Sequence, residues 1–484
     1  MLLKEILKGI SCEWIQGKNI EVEDIVIDSR KVKYGSLFIC LKGLHVDGHL
    51  YINAAASSGA SAILISDTQA AYPENVTIVR VGDTRKALAV TAANFYYHPS
   101  EDFNLIGVTG TKGKTTTTYM LEAVLQQYKH KTGVIGTLGA KIGGQKLDIH
   151  YDTSTTPDPV ELQQIFTAMK DDKVNDVVME VSSQALALEK LEGVRFNTAV
   201  FTNLTQDHLD FHKTMENYML AKARLFQQCS HGVVNVDSEA GRYILKHSPC
   251  DFITFSIDRD SDLKARDIRY LENGVEFTVD IDSAPTDFFI PIKGKFSVYN
   301  ALGVIGAALS MKIPVSAIEK GLSAMKGVPG RIQDVANNKG VHVIVDYAHS
   351  PDSMVNIINA VREFTKGRVI IIFGCGGDRD TGKRPIMGKI AGELADYCVL
   401  TSDNPRGEDP MAIIGAIEAG VKETTCGYAV EPDRRRAIFK GVGMLKPEDT
   451  LIVAGKGHES YQEIKGARTH FDDVEVAREA LEAI

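Results

Sequence analysis

Short apolar runs alternate with longer stretches of helical spacing along this chain, and that alternation is its main structural signal. In the first hundred residues, strands are expected at 25–27, 35–41, 62–65 and 76–81, with a helix over 50–58. Lys42-Gly43 and the polar run His45 to His49 form a loop before that helix, and 99–102 reads as a linker. Further on, apolar runs predict strands at 105–108, 134–137, 176–183 and 198–203, with helices over 116–128, 159–170 and 215–229. From about 331 a third set of strands is expected at 341–346, 368–373, 398–401 and 450–454. Buried-type strands separated by helices imply mostly parallel sheets, with ligands at the carboxyl ends of the strands. The expected fold is therefore α/β in three domains: 1–100, 101–330 and 331–484. The 484 residues allow two to four domains at roughly 100–200 residues each.

Charge and cysteine usage narrow the function classes. A net charge of −9 argues against binding a nucleic-acid backbone, so an anionic ligand must be held by local donors. Seven scattered cysteines, an odd number without a Cys-x-x-Cys pair, fit reduced thiols in the cytoplasm. Lys4, Glu5 and Lys8 interrupt the apolar core a signal peptide would need. No run of about 18 apolar residues exists, so no membrane span is expected.

The strongest chemical signal is Gly107-Val-Thr-Gly-Thr-Lys-Gly-Lys-Thr-Thr116, at an expected strand-to-helix turn. Glycines let backbone N–H groups approach phosphate oxygens, and a helix N-terminus adds partial positive charge. In such a loop Lys114 reaches the β- and γ-phosphates and the Thr115 hydroxyl ligates Mg²⁺. The usual pattern has a glycine where Val108 stands; Gly107 and Gly110 flank it. A capped Gly-rich turn is the plainer alternative. The run Gly374-Cys-Gly-Gly-Asp-Arg379 is not a dinucleotide fingerprint, because Arg379 occupies its third glycine position. His208 and Lys222, taken alone, read as a capping histidine and a solvated helix lysine.

Five motifs change that balance: 107–116, Met179-Glu-Val-Ser-Ser183, Asn203-Leu-Thr-Gln-Asp-His-Leu-Asp210, Asp346-Tyr-Ala-His349 and Gly455-Lys-Gly-His-Glu459. Together and in this order they resemble the Mur ligase family, the ATP-dependent amino-acid-adding enzymes of peptidoglycan precursor synthesis, over essentially the whole chain. The resemblance implies a central phosphate-loop, parallel-sheet ATPase domain flanked by an N-terminal α/β substrate domain and a C-terminal Rossmann-like α/β domain. It implies ATP and Mg²⁺ as cofactors and an acyl-phosphate intermediate. Asp403-Asn-Pro-Arg406 points within the family to members that add meso-2,6-diaminopimelate to UDP-N-acetylmuramoyl-L-alanyl-D-glutamate.

By position, the resemblance assigns ATP contacts to Gly110, Thr111, Lys112, Gly113, Lys114, Thr115, Thr116, Asn300, Arg331 and Asp346. It assigns the UDP-linked substrate to Ser29, Thr155, Thr156, Ser182, Ser183 and Lys190. Diaminopimelate falls to Arg379, Asp403, Asn404, Pro405, Arg406, Gly455 and Glu459. Metal ligation falls to Thr115, Glu180, His208 and Lys222; Lys222 carries a CO₂-derived carbamate, and Lys114, His208 and Lys222 are the catalytic set. Two positions depart from the family pattern. Gln184 stands where members often have His, and Lys190 stands where they often have Arg, whose bidentate contact a lysine cannot reproduce. A cytoplasmic monomer is expected. The alternatives are a lysine-adding member, a folylpolyglutamate synthetase relative sharing the ATP core, and a phosphate-loop ATPase or switch without peptide chemistry. Arg406 speaks against the first, the Asp28-Ser-Arg30 domain and the Asp403-Asn-Pro-Arg406 motif against the second, and the 379–459 motifs against the third.

Overall fold

The computed structural model describes residues 1–43, 46–149, 155–271 and 273–483; His45 and Ser154 of the expected loops lie outside these. The chain forms two compact units, Met1–Asp262 with Gly303–Ile318, and Leu263–Leu302 with Glu319–Ile484.

The first unit holds two sheets. Near the N-terminus, Asp24–Val26, Ser36–Ile39, Ala62–Ile65 and Thr77–Val81 pair in parallel, and Cys12–Gln16 closes the sheet antiparallel to Thr77–Val81. All four residues of Ser36–Ile39 and of Ala62–Ile65 are buried, which explains why these strands read as unbroken apolar runs. The segment expected as one helix over 50–58 begins as a 3₁₀ turn, Gly48–Tyr51, before the α-helix Ile52–Ser57.

The larger sheet orders its parallel strands as Asp251–Ser256, Cys229–Asn235, Phe196–Phe201, Asn104–Thr109, Asp176–Glu180 and Thr132–Gly136. Gly139–Ile142 and Gln145–Lys146 extend it antiparallel. From Asn104–Thr109 the chain first moves to one side of the sheet and later crosses to the other. The carboxyl end of Asn104–Thr109 is therefore the point where strand order reverses, where α/β sheets open a crevice. Leu105, Ile106, Val108, Val177, Val178 and Val200 are all fully buried in this sheet.

The helix expected over 215–229 is shorter. The α-helix is Met215–Ala223, a 3₁₀ turn follows at Arg224–Gln227, and Cys229 already pairs with Phe196 as a strand. A helical stretch running straight into a buried strand has no apolar break to mark the change, and pairing decides it. The pattern likewise does not anticipate Cys229–Asn235, Asp251–Ser256 or the antiparallel sheet Arg266–Leu271, Gly274–Ile281 and Ala284–Ile290.

In the second unit, His342–Asp346, Thr450–Ala454, Val369–Phe373, Tyr397–Leu400 and Gly427–Val430 lie side by side in parallel, with Gln333–Asp334 antiparallel at one edge. Apolar clusters cover both faces, one around Ile371, Phe373, Ile413 and Ile417, the other around Ile370, Ile372, Ile438 and Val476. Among the described residues no helix is long and apolar enough to cross a membrane.

Candidate functional site

The phosphate-loop sequence forms the expected strand, turn and helix. Strand Asn104–Thr109 runs into Gly110, and helix Lys114–Gln127 starts after Gly113, whose φ of 85° suits glycine. A Cβ on Gly110 would stand 1.9 Å from the Thr202 hydroxyl, so backbone and side chain meet there only because residue 110 has none. The Thr202 hydroxyl donates to the Lys112 carbonyl at 2.7 Å, and Asn203 accepts from the Thr111 and Lys112 N–H groups. The Asn203-to-Asp210 motif thus begins by fixing the loop.

Lys114 and Lys222 converge on one oxygen. The Lys114 ammonium donates to the Gly110 carbonyl at 2.9 Å and to the Thr111 carbonyl at 3.1 Å; Lys222 donates to the same Gly110 carbonyl at 2.8 Å. Lys222 is buried, and its nitrogen sits 4.5 Å over the Tyr218 ring. Burial, with the Lys114 charge second, pushes the Lys222 ammonium well below the usual lysine range. The amine is thereby biased toward its neutral, nucleophilic form.

Glu180 ends strand Asp176–Glu180 and is buried at the next strand terminus. It accepts from the Thr115 hydroxyl at 3.0 Å, the Thr137 N–H at 2.9 Å and the Thr137 hydroxyl at 3.1 Å. Thr115 and Glu180 thus place two hard oxygen donors side by side, the kind of pair Mg²⁺ takes. His208 has a left-handed φ of 51° and caps the short helix Leu209–His212. Burial pulls its imidazolium below the usual range.

Lys114, Thr155, Thr156, Ser182, Ser183, Lys190, His208 and Lys222 all line one cavity of about 300 Å³, with Gln184, Ala185, Leu188 and Tyr218. The Thr156 hydroxyl donates to the Glu180 carbonyl at 3.0 Å and accepts from the Ser182 N–H at 3.0 Å, which stitches the substrate-side threonine to the strand end. Ser182 caps helix Ser183–Ala187 by accepting from the Ala185 N–H. Lys190 pairs with Asp158 at the start of helix Pro159–Asp171.

Sequence reasoning misses Tyr218 and His212. The Tyr218 phenol meets the Thr111 hydroxyl at 3.1 Å, and burial pushes its pKa up to about 12. Its place one helical turn before Lys222 was the available signal. His212 stacks on Tyr218 at 4.8 Å and meets the Ser183 hydroxyl at 2.9 Å; no spacing rule marks it. Ser29 opens the 3₁₀ turn Ser29–Lys31 and does not line this cavity. Beside it, hydrogen bonds from Arg30 hold the Asp28 carboxyl down to about 2.

In the second unit Asp346 ends a strand, and Arg379, Asp403 and Gly455 follow strand carboxyl ends. Asp346 is buried and accepts from the Ile332 N–H at 2.8 Å. Ile332 has a φ of 41°, a costly conformation for a β-branched residue, beside Arg331. The Arg331 guanidinium lies 5.1 Å over the Tyr347 ring, and Asn300 is buried on helix Lys295–Ser310.

Asp403, Asn404 and Glu459 meet around buried Lys456. The Asn404 amide donates to Glu459 at 2.8 Å. A Cβ on Gly455 would stand 2.8 Å from an Asp403 oxygen, so the glycine admits that carboxylate. Burial and the Asp403 charge raise the Glu459 carboxyl. Arg406 has a φ of 50° and donates to the Gly377 carbonyl at 2.7 Å. Its loop is clasped to the Arg379 loop: the Gly377 N–H donates to the Asn404 carbonyl, Asp378 accepts from the Gly407 N–H, and Glu408 accepts from the Asp378 N–H. Pro405 leads into Arg406, and Arg379 is exposed.

Three family models match the chain: "Mur ligase family, catalytic domain" at residues 21–96, "Mur ligase middle domain" at 108–308 and "Mur ligase, glutamate ligase domain" at 330–457. The chain is 45% identical over its full length, and over all of the relative, to the UDP-N-acetylmuramoyl-L-alanyl-D-glutamate--2,6-diaminopimelate ligase of Clostridium botulinum. A solved structure of an enzyme of that name matches with a TM-score of 0.72 and 30% identity, covering 100% of this chain and 99% of that one. MurF ligase from Thermotoga maritima, solved with ADP, shares the fold with a TM-score of 0.62 at 18% identity, over 96% of this chain and 97% of that one.

Proposed function

The chain belongs to the Mur ligase family, whose members are ATP-dependent, ADP-forming ligases, and from that premise we propose that it adds meso-2,6-diaminopimelate to UDP-N-acetylmuramoyl-L-alanyl-D-glutamate in the cytoplasm, as a monomer. The observation that carries this reading is Arg406 on a clasped loop next to the Asp403–Asn404–Glu459 group, in a chain 45% identical to an enzyme of that name. Diaminopimelate differs from lysine by a second carboxylate. A planar guanidinium suits that carboxylate, and Glu459 suits the adjacent ammonium. Arg379 is assigned to the other carboxylate.

In this reading residues 1–100 hold the uridine end through Ser29, residues 101–330 carry the chemistry, and residues 331–484 hold the amino acid. The terminal D-glutamate carboxylate attacks the γ-phosphorus of ATP, and ADP leaves. The amine of diaminopimelate then attacks the acyl-phosphate carbonyl, phosphate departs, and the amine loses its proton. Two anions must approach each other in the first step, so cationic groups there lower the barrier. Lys114 lines the cavity and is assigned to the phosphates together with the N–H groups of 110–116. Asn300, Arg331 and Asp346 are assigned to the nucleotide. Mg²⁺, when bound, supplies further charge neutralisation; Thr115, Glu180, His208 and a carbamylated Lys222 would hold it. The neutral amine favoured at Lys222 is the form that adds CO₂ and, on losing a proton, becomes a carbamate that offers anionic oxygens. Ser182, Ser183, Thr155, Thr156 and Lys190 are assigned to the muramoyl-dipeptide.

The test is ligation by purified protein with ATP, Mg²⁺, the UDP-linked dipeptide and either amino acid. Diaminopimelate is expected to be preferred by about 10⁴-fold, because lysine leaves the half-buried Arg406 guanidinium without a carboxylate partner. Equal use of lysine, or unchanged diaminopimelate incorporation by Arg406→Ala, overturns the assignment.

A further inference from the structure

Lys456 has no side-chain exposure and lies at the centre of the second unit's polar cluster. Its ammonium donates to the Asn404 side-chain carbonyl and to the Tyr461 carbonyl, each at 2.7 Å. Two carboxylates flank it, Asp403 at 3.5 Å and Glu459 at 3.6 Å. The Asn404 oxygen also accepts from the Glu463 N–H at 3.0 Å. With two donors on that oxygen, the amide can face only one way, and its NH₂ points at Glu459.

We propose that Lys456 is a positioning residue for the incoming amino acid: it is the shared counter-ion of Asp403 and Glu459 and sets where the Glu459 carboxylate stands. The inference rests on the amino-acid-pocket reading above. Without Lys456, buried Asp403 and half-buried Glu459 lose the cation that stands between them and repel, and the hydrogen-bond donor left to Glu459 is the neutral Asn404 amide. The pocket then no longer presents a fixed acceptor to the ammonium of the ligand. Lys456 itself needs no contact with that ligand.

The experiment first gives wild-type enzyme either meso-diaminopimelate or L-lysine; whichever it incorporates is then followed in the variants. If lysine is the one used, the specificity reading fails while the Lys456 inference is still tested; use of neither overturns both. Lys456→Met and Lys456→Gln should raise the amino-acid KM at least about 10-fold, while the KM for ATP and for the UDP-linked substrate move less than about 3-fold. Lys456→Gln keeps a donor for the Tyr461 carbonyl and covers the case in which the methionine variant does not fold. The decisive arm is the double variant. Glu459→Gln should cost about 10-fold or more in wild type but less than about 3-fold in the Lys456 variants, because Glu459 is no longer held there. A merely structural lysine predicts additive losses and parallel damage to every KM and to kcat. Additivity, an unmoved amino-acid KM, or failure of both single variants to fold overturns the proposal.

Discussion

The Gly110 carbonyl is shared by two lysine side-chain nitrogens, at 2.9 Å from Lys114 and 2.8 Å from Lys222, and each lysine yields a prediction. Lys114→Ala should retain its fold and lose at least about 10²–10³-fold in kcat, as removal of one preorganised charge does; a folded variant with near-normal ligation contradicts the role. Lys222→Ala should be inactive, and a short carboxylic acid filling the gap should restore part of the rate, measured as dose-dependent rescue. His458 offers a test at the level of stability. Burial, with Arg331 second, pushes its pKa down to about 4. The folded state therefore holds a proton less readily than the unfolded chain. Stability should be full above the unfolded value near 6.5 and fall as pH drops from there toward about 4, by up to about 3 kcal/mol. Urea unfolding of His458→Asn should show a shallower acid limb over that window. Residue-level legibility was uneven for a physical reason. Lys114 and Glu180 announce themselves through strand-end position and residue type. Tyr218 and His212 act through ring stacking and contacts to hydroxyl groups, which a linear sequence does not distinguish from core packing.

Between elements, one buried ion pair holds four pieces of the second unit together. Arg434 and Asp473 are both wholly buried, with contacts of 2.6 and 2.7 Å. The same guanidinium donates to the Ala454 and Ser402 carbonyls. Helix Arg434–Gly443 and helix Asp473–Glu482 are thereby pinned to two strand ends that carry the Asp403 and Gly455 loops. Asp473→Asn or Arg434→Met should each cost about 3–5 kcal/mol, and joint apolar replacement should cost much less than the sum; denaturant unfolding of the three variants checks it. At this scale the parallel strands were legible because burial on both faces makes them continuous apolar runs, and Ala62–Ile65 and Thr450–Ala454 match residue for residue. The sheet over 266–290 was not. Arg266–Leu271 alternates weakly and has no fully buried residue, so its partners rather than its own pattern define it.

At the level of the whole molecule, the chain leaves the first unit at Asp262 and returns to it at Gly303. Val304, Ile305, Ala307 and Ala308 are fully buried, a Cβ on Gly303 would stand 3.1 Å from Val200, and Ser310 meets the Thr198 hydroxyl at 2.9 Å. A chain stopped after Asp262 should therefore lose its cooperative thermal transition and become protease-sensitive, whereas one continued to Ile318 should regain the first unit's transition in calorimetry.

That detour also puts a clock on folding. During synthesis the last segment of the first unit emerges 56 residues after Asp262, the difference between positions 318 and 262. At roughly 5–20 residues per second, the nascent sheet waits about 3–11 s with the ground meant for Val304 and Ile305 still open to solvent. A ribosome stalled between those two positions would hold a chain whose apolar sheet face is a binding site for chaperones, and release past Ile318 would close it.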